Sequence, residues 1–324
     1  MKKILVIGAT GQIGSELTPA LKKRYGEENI VLAYYYPPLP KELAKKEFSV
    51  QFDVRDIDKF KQACIDYNID TIINLAAILS AKGEQEPLKA WDTNINGLIN
   101  TLEIANELKL ERVFVPSSIA VFGPTTPRIN TPQDTILQPT TMYGITKVSG
   151  ELLGNYYFMK FGVDIRGIRY PGIISSMTLP GGGTTDYAVE IFYEAVKNKY
   201  YNCFLKADTR LPMMYMADCI KATIMLLEAD INNLKHHSGF NVTAMSFTPE
   251  ELANEIKKYI PDFKIDYNPD FRQAIADSWP QSIDDSCARE EWGWQPDYDL
   301  AKMTKEMLIA ISKKLQIPIS GLTD

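Results

Sequence analysis

A tyrosine and a lysine four residues apart could do chemistry in this chain: Tyr143 and Lys147, in the run Tyr143-Gly144-Ile145-Thr146-Lys147. On a helix, positions i and i+4 share a face. A free phenol has a pKa of ~10, too high for an efficient base near neutrality. A nearby ammonium favours the phenolate. The pair therefore reads as a general base and the group that tunes it, although a Tyr-x-x-x-Lys spacing alone also fits an exposed helix pair. A third candidate lies upstream, where the apolar run 113–116 ends in Ser117-Ser118-Ile119-Ala120-Val121-Phe122-Gly123. A hydroxyl at the carboxyl end of a parallel strand points toward the ligand crevice of such sheets. Ser118 could there steady a reacting oxygen beside Tyr143. Alone it would read as a turn serine.

The N-terminus suggests a cofactor for such a site. Strand-like Ile4–Ile7 runs into Gly8-Ala9-Thr10-Gly11-Gln12-Ile13-Gly14 and then a helical stretch. In a strand–turn–helix context, such glycines allow a tight turn, close approach of a pyrophosphate and tight helix packing. Gly8, Thr10, Gly11, Gln12, Ile13 and Gly14 are therefore expected to hold a nicotinamide dinucleotide at the helix N-terminus. Asp53 and Val54 follow the third strand and are expected near the adenine, a surface loop acid being the plainer alternative. Leu75, Ala76 and Ala77 close the fourth strand with small residues a cofactor could approach. Lys147 could also hold the nicotinamide ribose, and Tyr170 is expected among the cofactor contacts. The second strand ends Ala33-Tyr34-Tyr35-Tyr36. It lacks the acid that would bind the adenosine ribose and mark NAD, and the Arg that would hold a 2′-phosphate.

The elements that must position these groups read as alternating strands and helices. Strands are predicted at 4–7, 30–34, 50–52, 71–75, 113–116 and 164–170. Helices are predicted near 13–25, 56–67, 86–108 and 142–160. This alternation predicts an α/β fold, a doubly wound Rossmann parallel sheet with a smaller C-terminal substrate lobe. The expected division is 1–175 for the dinucleotide and 176–324 for substrate, with segments returning to the sheet. Later helices are expected at 184–197, 217–227, 249–259 and 300–315, and turns at Pro171-Gly172 and Pro180-Gly181-Gly182-Gly183.

Composition narrows the function. A net charge of −6 over 324 residues argues against nucleic acid or an anionic membrane as partner. No run approaches a membrane span, and no signal segment is expected before the first strand, so a soluble cytoplasmic protein is expected. The 4 cysteines form no C-x-x-C pair, and the 2 histidines, His236 and His237, are neighbours whose side chains diverge. No catalytic metal is expected.

Together, Gly8-x-x-Gly11-x-x-Gly14, Ser118 and Tyr143-x-x-x-Lys147 resemble the extended short-chain dehydrogenase/reductase superfamily, which includes UDP-galactose 4-epimerase. Further segments are similar to the short-chain type of L-threonine 3-dehydrogenase over nearly the whole chain. They include Leu79-Ser80-Ala81-Lys82-Gly83-Glu84, Pro180-Gly181-Gly182-Gly183-Thr184-Thr185-Asp186-Tyr187-Ala188, Arg272-Gln273-Ala274-Ile275-Ala276-Asp277-Ser278-Trp279-Pro280 and Trp292-Gly293-Trp294. That resemblance implies NAD as cofactor, L-threonine as the small-molecule substrate, Ser80, Ser118, Tyr143 and Thr184 around it, and a homodimer through the helices near 86–108 and 142–160. It departs at Tyr35, where the family usually has an acid. A nucleotide-sugar epimerase or dehydratase shares every cofactor and catalytic motif and is the competing reading. A non-enzymatic nicotinamide sensor fits less well, because both Tyr143 and Lys147 are present.

Overall fold

The computed structural model describes residues 1–36, 39, 48–179 and 181–322. A six-stranded parallel sheet lies at its centre, in the order Ser49–Gln51, Ile30–Tyr34, Ile4–Ile7, Thr71–Asn74, Arg112–Phe114, Ile165–Arg166. The first strand shows why both faces must be covered. Ile4 and Val6 enter one core with helix residues Leu17 and Leu21, while Leu5 and Ile7 enter another with Phe60 and Ala63. Strand residues alternate sides, so a continuous apolar run is stable only when both sides are buried. Each buried side chain of this size contributes about 1.5–3 kcal/mol.

The strand predicted over 164–170 is broken in two. Ile165–Arg166 stays in the large sheet, and Ile168–Tyr170 joins a small one between Ser117–Ser118 and Phe240–Asn241. Gly167 is the hinge. A side-chain carbon there would lie 2.4 Å from the Ser238 carbonyl oxygen and 2.7 Å from that of Val115. The strand predicted over 113–116 likewise stops at Phe114, and the chain resumes pairing at Ser117, beyond Pro116. A second small sheet pairs Leu211–Tyr215 with Gly172–Ile174 and Met245–Phe247.

The helix predicted over 86–108 is three pieces: Pro87–Trp91, a π-helical turn Asp92–Asn96, and Gly97–Leu108. Wider turns of this kind re-aim side chains within a helix. Helix Gln12–Tyr25 packs on helix Met216–Glu228 through Leu17, Leu21, Cys219, Ala222 and Leu226. The chain after 176 therefore contributes to the sheet's surroundings as well as to its own core, built on Tyr187, Phe192, Phe247 and Met307. Among the described residues no helix is long and apolar enough to cross a membrane.

Candidate active site

A single cleft at the carboxyl ends of the strands gathers the glycine turn, Ser118, Tyr143, Lys147, Ser80 and Thr184. Its floor is the turn after the first strand. Gly8 has φ +77, and a side-chain carbon there would lie 3.1 Å from Ala76 N. At Gly14 such a carbon would lie 2.3 Å from the Gly8 carbonyl oxygen, so the helix start rests directly on the turn. Helix Gln12–Tyr25 has no side-chain cap at Gly11 and no acid in its first turn. Its N-terminal N–H groups and dipole thus present a site for anions. Gln12 lines the cleft, and its Nε2 is buried without a partner. A buried donor of this kind costs free energy unless a ligand satisfies it. These residues fit the pyrophosphate and ribose of a dinucleotide.

Helix Met142–Phe161 carries Tyr143 and Lys147. Its first turn is capped by Thr141, whose hydroxyl accepts from Gly144 N at 3.1 Å. A side-chain carbon at Gly144 would lie 2.2 Å from the Ala120 carbonyl oxygen. Only glycine lets the helix start sit on the 119–121 turn that follows Ser118, which brings Tyr143 to Ser118. Ser118 Oγ accepts from Ala120 N at 3.2 Å. Lys147 Nζ donates to the Pro116 carbonyl at 2.7 Å and lies 5.4 Å from the Tyr143 ring centre. Deeper in, the Glu151 carboxylate grips Arg169 in a fork of 2.8 and 2.9 Å and accepts from Ser117. This buried pair locks Ser117–Ser118 beside Ile168–Tyr170, at the height where Ser118 meets Tyr143.

Electrostatics in this pocket differ from the simple expectation that a neighbouring ammonium lowers the phenol. Burial pushes Tyr143 up to about 12, with Ser118 opposing it, and burial pulls Lys147 down to about 8 against the pull of Glu151. Desolvation disfavours whichever form is charged, so it moves the two groups in opposite directions.

On the opposite wall, Ser80 Oγ and Thr184 Oγ1 are buried and 3.1 Å apart. Thr185 lines the cleft too, but its methyl packs where a side chain at Gly172 would stand, 2.8 Å away. The helix expected from Thr184 begins at Tyr187. The Gly182 and Gly183 N–H groups both donate to Asp186, at 2.9 and 2.7 Å, so the turn's own acid occupies them. Pro180 lies outside the described residues.

Of the other expected cofactor residues, Ile13, Leu75, Ala77 and Tyr170 line the cleft. The Tyr170 hydroxyl turns away to Thr223. Thr10, Ala76, Asp53 and Val54 are not in the wall. Ala76 instead backs Gly8, and Thr10 sits in the turn closed by Gly11 N to the Gly8 carbonyl at 2.9 Å. The Asp53 carboxylate is held by Arg55 at 2.6 and 3.0 Å, and Arg55 reaches on to Asp92. Val54 packs under the helix at Gly97, where a side-chain carbon would lie 2.7 Å from it.

Two residues escaped the sequence reading of the site. Trp279 lines the cleft with its indole N–H buried and unpartnered. Asn94, presented by the π-helical turn, bonds Ile78 N and O and Thr146, at 2.8, 3.1 and 3.1 Å. It ties the loop after the fourth strand to the helix of Tyr143. A polar residue in an otherwise amphipathic stretch was its only signal.

Comparison with known proteins agrees with this geometry. Residues 4–242 match the NAD dependent epimerase/dehydratase family. A Staphylococcus epidermidis protein described as an uncharacterized epimerase/dehydratase is 51% identical over 315 residues, covering 97% of this chain and 99% of that protein. The solved L-threonine dehydrogenase of Clostridium difficile is 53% identical, with a TM-score of 0.94 over 98% of this chain and 99% of that one. A monomeric L-threonine 3-dehydrogenase from a metagenome is 47% identical, with a TM-score of 0.92 over 96% and 99%.

Proposed function

This chain belongs to the NAD dependent epimerase/dehydratase family, and from that premise we propose that it oxidises the β-hydroxyl of L-threonine, giving 2-amino-3-oxobutyrate. The observation that carries the reading is the Ser80–Thr184 hydroxyl pair, 3.1 Å apart and buried, facing Tyr143 and Ser118 across one cleft. Buried Thr184 and Trp279 close that wall, which suits a small polar substrate better than a nucleotide sugar. Structures of the same length at about half identity carry the name L-threonine dehydrogenase.

In this reading Tyr143 accepts the β-hydroxyl proton while Ser118 holds the same oxygen. Lys147, fixed by the Pro116 carbonyl, would hold the nicotinamide ribose and supplies positive charge that favours the phenolate form of Tyr143 before it takes the proton. Ser80, Thr184 and the free indole N–H of Trp279 bind the amino and carboxylate end. When bound, NAD supplies the hydride acceptor at nicotinamide C4. The protein's contribution is position and proton transfer.

The division into a cofactor half, 1–175, and a substrate half, 176–324, follows the same assignment. Exposed Leu88, Trp91, Ile145, Leu152, Tyr156 and Met159 lie on the two helical segments at 87–91 and 142–161. They support a homodimer through those segments, against the monomeric state of one relative, and sedimentation at micromolar concentration decides between them. The 4 free cysteines suit a reducing compartment, the cytoplasm, and a role in threonine catabolism there.

The test is growth of NADH absorbance on adding L-threonine, with L-serine, L-allo-threonine and UDP-sugars for comparison. Preference for L-threonine is expected. Epimerisation of a UDP-sugar without net NADH would move the chain to the competing reading.

A further inference from the structure

Away from the cleft, among the described residues, one group combines nitrogen, sulfur and oxygen ligands. His236, Cys287 and Glu291 each offer a ligand atom, and these atoms lie within 4.8 Å of one another. In sequence His236 was weighed only against its neighbour His237. Its partners come from 50 residues on, on helix Ser286–Trp292, where Cys287 and Glu291 are one turn apart and share a face.

The surroundings suit a cation. Glu291 lies 2.6 Å from His236 Nδ1 and also accepts from Lys235 N at 2.6 Å, so the imidazole and carboxylate are held together. His236 Nε2 lies 3.5 Å from the exposed carboxylate of Asp134. We propose that His236, Cys287 and Glu291 form a zinc-binding site, with water as the fourth ligand.

A mixed set of one thiolate, one imidazole and carboxylate oxygens favours zinc over calcium or magnesium, which take oxygen alone. Zinc–ligand bonds of about 2.0–2.3 Å require the Cys287 sulfur to close on the His236–Glu291 pair by roughly 1 Å. His236 and Cys287 are part-buried, so rotation of their side chains can supply that movement while the Glu291 carboxylate stays in place. Binding displaces the thiol proton, and affinity rises with pH. The ion would clamp the segment 235–239 onto helix Ser286–Trp292. That segment ends at Gly239, against the Glu151 carboxylate, and its His237 carbonyl accepts from Gly167 N at 2.8 Å. No ligand touches Tyr143, Ser118, Lys147 or the glycine turn, so the site stabilises the fold and leaves turnover alone.

The experiment uses the full chain, stripped with chelator and titrated with cobalt(II). A thiolate-to-cobalt charge-transfer band saturating at one equivalent is expected, and it reports Cys287 because Cys64, Cys203 and Cys219 are buried. Zinc should raise the Tm by on the order of 5 °C at a hundredfold excess over its Kd. Cys287→Ser should abolish the band, and His236→Gln should weaken cobalt affinity at least about tenfold. Both variants should keep the wild-type Tm without metal and the wild-type rate of NADH formation. Absence of the band, or a band of equal strength in Cys287→Ser, overturns the proposal. An activity that chelation removes and zinc restores would overturn its non-catalytic role, independently of which substrate the cleft takes.

Discussion

The two walls of the cleft are built in opposite ways. On the cofactor side, contacts come from short runs: Gly8 to Gly14 within one turn, Tyr143 and Lys147 within one helix. On the substrate side, Ser80 and Thr184 meet across a separation of 104 residues, and Trp279 arrives from a third segment. The cofactor wall is fixed by backbone shape, since glycine is required where a side-chain carbon would strike a carbonyl. The substrate wall is fixed by tertiary packing and can change its ligand without disturbing the turn. That division lets one fold serve several substrates while keeping one redox cofactor.

The sharpest way to break this comparison is at the residue the walls share. Tyr143→Phe removes the proton acceptor and almost no volume. It should lower kcat by roughly 10²–10⁴-fold while NAD affinity stays near wild type. Steady-state rates and a cofactor binding titration, run on the same preparation, separate the two. A rate within threefold of wild type would remove Tyr143 from the role of base.

A smaller effect is expected from the substrate wall alone. Thr184→Ala should lower kcat/KM for L-threonine about ten- to a hundredfold, the worth of one hydrogen bond to a charged group, with the KM for NAD little changed. Thr184→Ser keeps the hydroxyl and should recover most of the loss. Thr185→Ala is the internal control. Its methyl packs against Gly172, so it should lower Tm more than it lowers kcat/KM. If the two alanine variants exchange behaviours, the binding hydroxyl is Thr185.

The same contrast governs what could be read from the sequence. The parallel six-stranded sheet follows from alternating apolar and amphipathic runs, and Gly8, Ser118, Tyr143 and Lys147 stand out because their signals are local. Gly167 did not, because what requires it is the Ser238 and Val115 carbonyls, distant in sequence. The π-helical turn at Asp92–Asn96 was hidden for a related reason, since a wider turn keeps helical periodicity almost intact. Asp53 follows the third strand as an adenine contact would, and the hold of Arg55 on its carboxylate was not legible from the spacing. Thr184 was legible only through a family resemblance, and the helix expected to begin there starts three residues later because Asp186 caps the glycine N–H groups itself.

The pH profile tests how the walls share the proton. Burial holds Tyr143 up at about 12, so in the assay range most molecules carry the phenol. A base must be deprotonated to act, and its competent fraction grows about tenfold per pH unit below its pKa. kcat/KM for L-threonine should therefore rise with pH from 6. Lys147 loses its charge through about 8, which withdraws support from the phenolate, so the slope should fall above that point. A profile that declines from pH 7 upward would mean that a protonated group limits the reaction.

The smallest effect concerns the far end of the cofactor wall, where the chain departs from its family's habit. Tyr35 directly follows strand Ile30–Tyr34, is 60% exposed, and carries no charge. An acid there would accept the adenosine ribose hydroxyls and repel a 2′-phosphate. With tyrosine in its place, NAD should be preferred over NADP only modestly. Tyr35→Asp should raise the ratio of kcat/KM for NAD over NADP about three- to tenfold, a modest figure because exposed charges are screened by solvent and salt. Tyr35→Asn separates the two contributions, since its amide can bond the ribose but cannot repel the phosphate. An asparagine variant equal to the aspartate variant assigns the gain to the hydrogen bond. A gain in Tyr35→Asp alone, shrinking as salt is added, assigns it to charge. If the wild-type protein already rejects NADP strongly and neither variant changes the ratio, discrimination comes from another residue, and the exposed strand end is not part of the cofactor wall.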